Sequence, residues 1–467
     1  MAAFNPRLLE QLRQIVGSEH LVTTAEERAC YSYDAGGRSF PPAAVAFPGS
    51  VEEVSGIMRL ASTEKFPVIP RGAGTGMTGG ALPTENSLLL AMSRLNRILE
   101  IDRENQVAVV EPGVITGQFQ AEVERLGLFY PPDPASRGFC TMGGNVAECA
   151  GGPRAVKYGV TRDYILGLEA VLPNGAILHT GVRTAKGVAG YDLTRLLVGS
   201  EGTLAIITKI IVRLLARPET RETFLVLCGS MAQAARLVSA ILNSGILPST
   251  LEYMDKTALA AVRENLPHEP PLDTEALLLI ELDGNLREVA IQGERLTGLL
   301  ADRTAFPDIL ETRRARDRQE AEELWTARRA ISPSLFKLKP DKLSEDVVVP
   351  RSRIPELVEF IEQLGRETGL TILSFGHAGD GNMHVNIMLD KQDAQEFQKG
   401  RESRDRLFKE VLRLSGTITG EHGIGLSKAA YLPLEIDAAT LEVMRAIKRA
   451  FDPHNILNPG KIFPVDG

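Results

Sequence analysis

A chain of 467 residues exceeds one ordinary hydrophobic core, so two or three domains are expected. Its 43% hydrophobic and 24% charged residues are those of a globular protein, and a net charge of −8 without any Lys/Arg cluster argues against nucleic acid as a partner. No apolar run is long enough to span a membrane, and Cys30, Cys140, Cys149 and Cys228 form no CxxC pair, which excludes an iron–sulfur cluster and a four-cysteine zinc site.

The N-terminal stretch MAAFNPRLLEQLRQIVG reads as an amphipathic helix; it lacks the basic region and apolar core of a signal peptide. Residues 42–215 then alternate short strands and helices. AAVAFP leads into the helix VEEVSGIMRLASTE and the strand FPVIP; NQVAVVEPG is a strand ending in a turn; ITGQFQAEVERLG has helical spacing and LFYPPDP leaves it extended. LGLEAVLPNGAILHT predicts a hairpin about Pro173-Asn174-Gly175, and TLAIITKIIVRLLA a long β-branched strand. Beyond Arg217-Pro218, ETFLVLCGS, MAQAARLVSAILNSG, STLEYMD and EALLLIELDG alternate strand and helix. Charged helical stretches follow around 285–302 and 312–331, a last alternation covers 345–390, and the tail from Gly416 is rich in Gly, His and Pro. This order predicts α+β rather than a doubly wound sheet. The expected domains are 1–217, 218–415 and a C-terminal segment 416–467.

Two glycine-rich stretches point to a ligand. PRGAGTGMTGGALP, Pro70 to Pro83, contains a formal GxGxxG, but Gly80 and Pro83 stop the helix that a Rossmann fingerprint needs, so an NAD site is not expected. The stretch suits either a plain turn or a loop whose amides line an anion site, with Arg71 adding charge. In the second, around Thr141-Met142-Gly143-Gly144-Asn145, small residues continue to Gly152, so a large flat ligand can lie against the backbone. Ser200-Glu201-Gly202-Thr203 is a tight turn feeding the long strand.

FGHAGDGNMHVNI, Phe375 to Ile387, carries two of the seven histidines on either side of a Gly-Asp-Gly-Asn turn. His377 and His384 can converge there, and Asn386 shares a strand face with His384. TGEHGIG adds Glu421 and His422 between glycines. Two imidazoles and a carboxylate suit zinc, manganese or ferrous iron; the residues alone leave a metal site and a pair of unrelated histidines both open.

The two glycine loops with VGSEGTLAIIT and LNPGKIFP resemble the FAD-binding domain of the vanillyl-alcohol oxidase / para-cresol methylhydroxylase (PCMH-type) fold. Together with GHAGDGNMH and GEHGIG they resemble the FAD-linked D-2-hydroxyacid dehydrogenase family: the glycolate oxidase catalytic subunit, D-lactate dehydrogenase and D-2-hydroxyglutarate dehydrogenase. The resemblance covers nearly the whole chain. It implies a PCMH-type FAD domain of two subdomains, an α+β cap domain for substrate, and a C-terminal segment returning to the FAD domain. It places FAD against Arg71, Gly72, Gly74, Thr75, Thr141, Gly143, Gly144, Asn145, Glu201, Gly202, Ile206 and Asn458. It assigns a divalent metal, zinc before manganese or iron, to His377, His384 and Glu421, the base to His422, and substrate contacts to Asn386, Arg328 and Ser332. The last two stand at i and i+4 of an expected helix in LWTARRAIS. Lys342, near SEDVVVP, is a further candidate whose spacing differs from the 2-hydroxyglutarate members.

The implied reaction takes a small D-2-hydroxy acid, D-lactate or glycolate, to the 2-oxo acid with hydride transfer to flavin N5. Electrons then pass to a protein acceptor: an iron–sulfur subunit, an electron-transferring flavoprotein or a cytochrome. A metal-independent flavin oxidase and a non-catalytic FAD-binding subunit are the alternatives. FAD is expected to be non-covalent, since the first loop has no histidine or cysteine; Cys140 beside the second is read as a free buried thiol. The expected location is the cytoplasm, with no transmembrane segment and room for peripheral membrane association through a partner.

Overall fold

The structure, a computed structural model, describes residues 4–464 and divides into two compact units. One comprises 1–151, 160–217 and 421–467; the other comprises 152–159 and 218–420.

In the first unit the expected N-terminal amphipathic helix is Pro6–Val16: Asn5 caps it by accepting from Leu8 N, Pro6 occupies its first turn, and Leu8, Leu12 and Val16 form its buried stripe. Residues 1–3 of that stretch lie outside the described residues. Ala44–Ala46, the helix Val51–Glu64 and Val68–Arg71 form a strand–helix–strand unit, and both strands pair in parallel with Leu88–Ala91. The short strand Leu21–Val22 closes this sheet antiparallel. A second, antiparallel sheet runs in the order Ile98–Asp102, Val107–Val110, Ile206–Arg213, Ile165–Val171, Ile177–Gly181. Its last two strands are the hairpin read from Pro173-Asn174-Gly175. Along Ile206–Arg213 buried and half-buried residues alternate, as a strand with one face on the core requires. The strand is shorter than TLAIITKIIVRLLA suggests. Thr203 turns back to donate its hydroxyl to Ser200 O, and beyond Leu214 the residues Leu215–Ala216 pair instead with Leu128–Phe129.

The second unit is built on a seven-stranded antiparallel sheet in the order Ile309–Arg314, Thr220–Cys228, Ala276–Gly284, Thr250–Asp255, Thr371–His377, Asn382–Leu389, Asp341–Val348. On one face Leu225, Leu227, Met254, Leu277, Leu279, Leu373, Phe375 and Met388 pack with the helices Lys256–Ala261, Arg318–Arg329 and Ile331–Ser334. The helical expectation for 312–331 is corrected at its start. Residues 312–314 end the edge strand Ile309–Arg314, where charged side chains guard an unpaired edge, and Arg314 reaches Glu222 on the neighbouring strand at 2.6 Å. The helix begins only after Asp317, which caps it through Glu320 N. The architecture is α+β. No helix among the described residues is long and apolar enough to cross a membrane.

Candidate active site

The first unit contains a pocket floored by small residues of both glycine stretches. Arg71, Gly72, Gly74, Thr75, Thr141, Gly143, Gly144, Asn145, Glu201, Gly202 and Ile206 line it, and so do Glu421 and His422. Arg71 ends the strand Val68–Arg71 and is buried, yet its Nη1 has no hydrogen-bond partner. An orphaned buried guanidinium nitrogen is costly unless a ligand satisfies it, and a phosphate oxygen is its natural complement. Gly74 sits at φ +71°, and a Cβ there would lie 2.1 Å from Arg71 Nη2, so the guanidinium occupies the space that a side chain would take. Thr141 caps the turn Met142–Glu148 through Gly144 N, and Asn145 Nδ2 donates to Thr116 Oγ1 at 2.7 Å. This cradle of small residues around a guanidinium nitrogen without a hydrogen-bond partner fits FAD.

Glu201 is a wall element of a different kind. It adopts φ +51°, a conformation costly for a residue with a Cβ, and its carboxylate compensates by accepting from Ile424 N and Gly425 N, each at 2.7 Å. Asn458 stands behind the wall rather than on it: its Nδ2 donates to Gly80 O at 2.9 Å and to Glu201 O at 2.7 Å. Leu457 bridges to Val68, and buried Lys461 donates to Leu82 O. The C-terminal segment thereby ties the first glycine loop to the 201 turn. Thr78 Oγ1 donates to His422 O at 2.9 Å, fixing the backbone beside the candidate base.

In the second unit, strand pairing assembles the remaining candidates. Glu252 pairs with His377, Phe375 with His384, His384 with Asp346, and Leu373 with Asn386. Directly opposed residues in an antiparallel sheet share a face, so Glu252, His377, His384, Asn386 and Asp346 emerge on the face that also carries Met254 and Phe375. The His377 and His384 rings meet at 5.1 Å, perpendicular to each other. His377 Nδ1 lies 2.5 Å from Glu252 Oε1, the carboxylate contact that orients a ligating imidazole. Arg328 reaches the same carboxylate, Nε at 2.8 Å and Nη2 at 2.6 Å from Oε2, and stacks 4.8 Å over Phe375. Burial pushes the Glu252 carboxyl up, but His377 and Arg328 outweigh it and hold it below the usual carboxylate range.

Asp346 is fully buried and accepts from Asn382 Nδ2 at 2.6 Å and Gly420 N at 2.8 Å, with His384 Nδ1 at 3.8 Å. The residue held at Gly420 immediately precedes Glu421 in the chain. Asn386 is fully buried; its Nδ2 donates weakly to His384 O and its Oδ1 has no partner, so it retains acceptor capacity. Arg328 and Ser332 do not share one helix. The helix ends at Arg329, Ser332 lies in the separate turn Ile331–Ser334, and its hydroxyl accepts from Lys342 Nζ at 2.8 Å. Burial draws the Lys342 amine down to about 8.

Two acids essential to this arrangement went unread in the sequence. Glu252 stands between Leu251 and Tyr253 in a strand buried along its whole length, and an acid in such a run is an available signal; Asp346 follows Glu345 in the polar strand DKLSEDVV and has no such signal.

Comparison with known proteins divides the chain near residue 217 and counts the C-terminal segment with the second part. Residues 42–181 match the FAD binding domain family, and residues 217–462 match the family described as FAD linked oxidases, C-terminal domain. The glycolate oxidase subunit GlcD of Bacillus subtilis is 44% identical over 98% of this chain and 97% of its own. A D-lactate dehydrogenase of Anaerostipes hadrus is 33% identical over 98% and 97% respectively. Among solved structures, p-cresol methylhydroxylase with substrate bound superposes with a TM-score of 0.81 at 19% identity, over 98% of this chain and 97% of that one, which speaks for the fold alone. The chain is an enzyme of the FAD-linked oxidase family, an FAD-linked oxidoreductase.

Proposed function

We propose that this enzyme oxidises a small D-2-hydroxy acid, D-lactate or glycolate, to the 2-oxo acid. The observation that carries the reading is Glu252, which grips an arginine and a histidine at once on a face that also presents His384 and Asn386. Arg328 is the group for the substrate carboxylate: a planar guanidinium, already oriented by Glu252, with a further edge to offer. Asn386 positions the 2-hydroxyl end through its unmatched Oδ1. His422, on the wall of the FAD pocket, takes the hydroxyl proton. Bound FAD supplies the acceptor for the hydride lost from C2, and a divalent metal, zinc before manganese or iron, held by His377, His384 and Glu421, supplies Lewis acidity. The imidazole pair and the carboxylate behind His377 fit that donor role. The substrates named for the B. subtilis and A. hadrus relatives support the substrate class.

The electrons then pass to a protein partner, as the relative's name of subunit suggests. We place the enzyme in the cytoplasm, a reading supported by its four free cysteines. Anaerobic mixing with D- and L-lactate, glycolate and D-2-hydroxyglutarate, with metal analysis of the same sample, tests the reading. Flavin bleaching by D-lactate or glycolate in metal-loaded protein, and none after chelation or in His377→Ala, is the expected result. Bleaching by none of these acids, or undiminished bleaching without metal, refutes it.

A further inference from the structure

The pocket holds one carboxyl that this reaction leaves unused. Glu148 closes the short helix Met142–Glu148 and lies on the pocket wall. Its Oε2 is sealed from solvent and has no hydrogen-bond partner, whereas Oε1 is neither sealed nor bonded to protein and opens on the pocket. The second buried acid, Glu201, is its neighbour. A Cβ on Gly423 would meet Glu148 Oε2 at 2.4 Å and Glu201 Oε1 at 2.9 Å; one on Gly80 would meet Glu148 Oε1 at 2.8 Å and Glu201 Oε2 at 3.7 Å. The two carboxyls therefore flank both glycines, whose missing side chains make the room.

Two buried acids this close do not both ionise. Glu201 has the amides of Ile424 and Gly425, one on each oxygen, and is the one equipped to carry charge. Glu148 has no donor. Burial raises both carboxyls, Glu148 well above the usual range with the charge of Glu201 adding to it, Glu201 less because the amides hold it down. An uncharged acid with no acceptor near Oε2 has one useful place for its proton, the oxygen facing the pocket. Glu148 also meets the chain at Gly423, next to His422, so it belongs to the reacting end of the pocket.

We propose that Glu148 is a positioning residue, a neutral carboxylic acid whose Oε1–H donates a hydrogen bond to an acceptor on the polar edge of the flavin ring. Such a donor orients the ring toward His422 and favours the reduced, more electron-rich flavin; an acid kept neutral by its surroundings is suited to this task. The proposal rests on FAD occupying this pocket with its ring at His422.

The test uses the full chain with Glu148→Gln and Glu148→Ala. Infrared difference spectroscopy of the apoprotein, wild type against Glu148→Gln, should show a protonated-carboxyl stretch that the substitution removes. This arm needs no cofactor, so its failure is distinguishable from a wrong assignment of the reaction. In the FAD-loaded proteins the midpoint potential, measured by dithionite titration, and the visible spectrum should match wild type in Glu148→Gln, whose amide still donates. In Glu148→Ala the potential should fall and the spectrum shift. Absence of the infrared band overturns the proposal. So does a potential that Glu148→Gln moves as far as Glu148→Ala, since an ionised carboxylate would then have been lost. Weakened FAD binding with spectrum and potential unchanged in Glu148→Ala also overturns it, placing the contact on the pyrophosphate.

Discussion

Replacing Glu252 by Gln keeps its shape and removes its charge. Glu252 is completely buried between His377 and Arg328, and the Arg328 side chain is only 12% exposed, so the variant leaves a cation in a poorly hydrated place. Breaking a buried pair from one side costs about 3–5 kcal/mol. Glutamine still accepts one hydrogen bond and Phe375 still stacks on the guanidinium, so the lower end, about 3 kcal/mol, is expected. At a urea dependence near 3 kcal/mol/M the midpoint should drop by about 1 M. The single tryptophan, Trp325, lies in the same unit with its indole N–H on Glu281, so fluorescence reports the right transition. Arg328→Met in the same background should restore most of the loss, because it removes the stranded charge. A loss below about 1 kcal/mol, or a double mutant whose cost is the sum of the two single ones, would show that Glu252 does not couple these residues.

The remaining expectations concern cofactor, charge and electron flow. Acid precipitation should release all the flavin into the supernatant, since the buried Cys140 thiol is engaged with Thr116 Oγ1; yellow colour left in the pellet would reveal a thioether. Lys342 titrates in the folded chain at about 8, below the ordinary lysine value near 10.4, so the unfolded chain binds more protons between those limits and stability rises with pH across them. Lys342→Met should therefore be more stable than wild type at pH 7.5, with the advantage shrinking toward pH 10; a constant difference in urea midpoint would show that burial does not depress this amine. Glu421→Ala should lose metal, measured by plasma emission, while keeping its FAD spectrum; full metal content would remove Glu421 from the ligand set. Reduced enzyme should reoxidise slowly in air-saturated buffer and quickly with an artificial dye; equal rates by stopped flow would make it a self-sufficient oxidase.

Local chemistry made much of the fold legible. Pro173-Asn174-Gly175 gave its hairpin, Gly379 to Asn382 turned the chain between two histidine-bearing strands, and the β-branched run after Ile206 marked a strand. The failures are long-range. Nothing near Glu252 announces that His377, 125 residues away, will sit opposite it, because strand order in a seven-stranded sheet is not written in any one strand. The charged run at 312–314 reads as helix until a neighbouring strand is supplied. Asn458 lies in a motif that resembles a cofactor contact; what the motif does not announce is that its Nδ2 also ties two carbonyls of the wall together.

The tie between Asn458, Leu457 and the first glycine loop also sets the order in which the chain can mature. On the ribosome, residues 218–420 can emerge and pair all seven strands of their sheet among themselves, while the loop at 71–80 still waits for the segment that pins it. Until residues 456–461 are made, Gly80 O and Glu201 O have no amide to accept and the strand Val68–Arg71 has an open edge. The first glycine loop therefore gains these ties only when the last residues are made, and a chain stalled before residue 456 should carry a complete set of strands for the second sheet while the flavin cradle lacks the contacts that pin it.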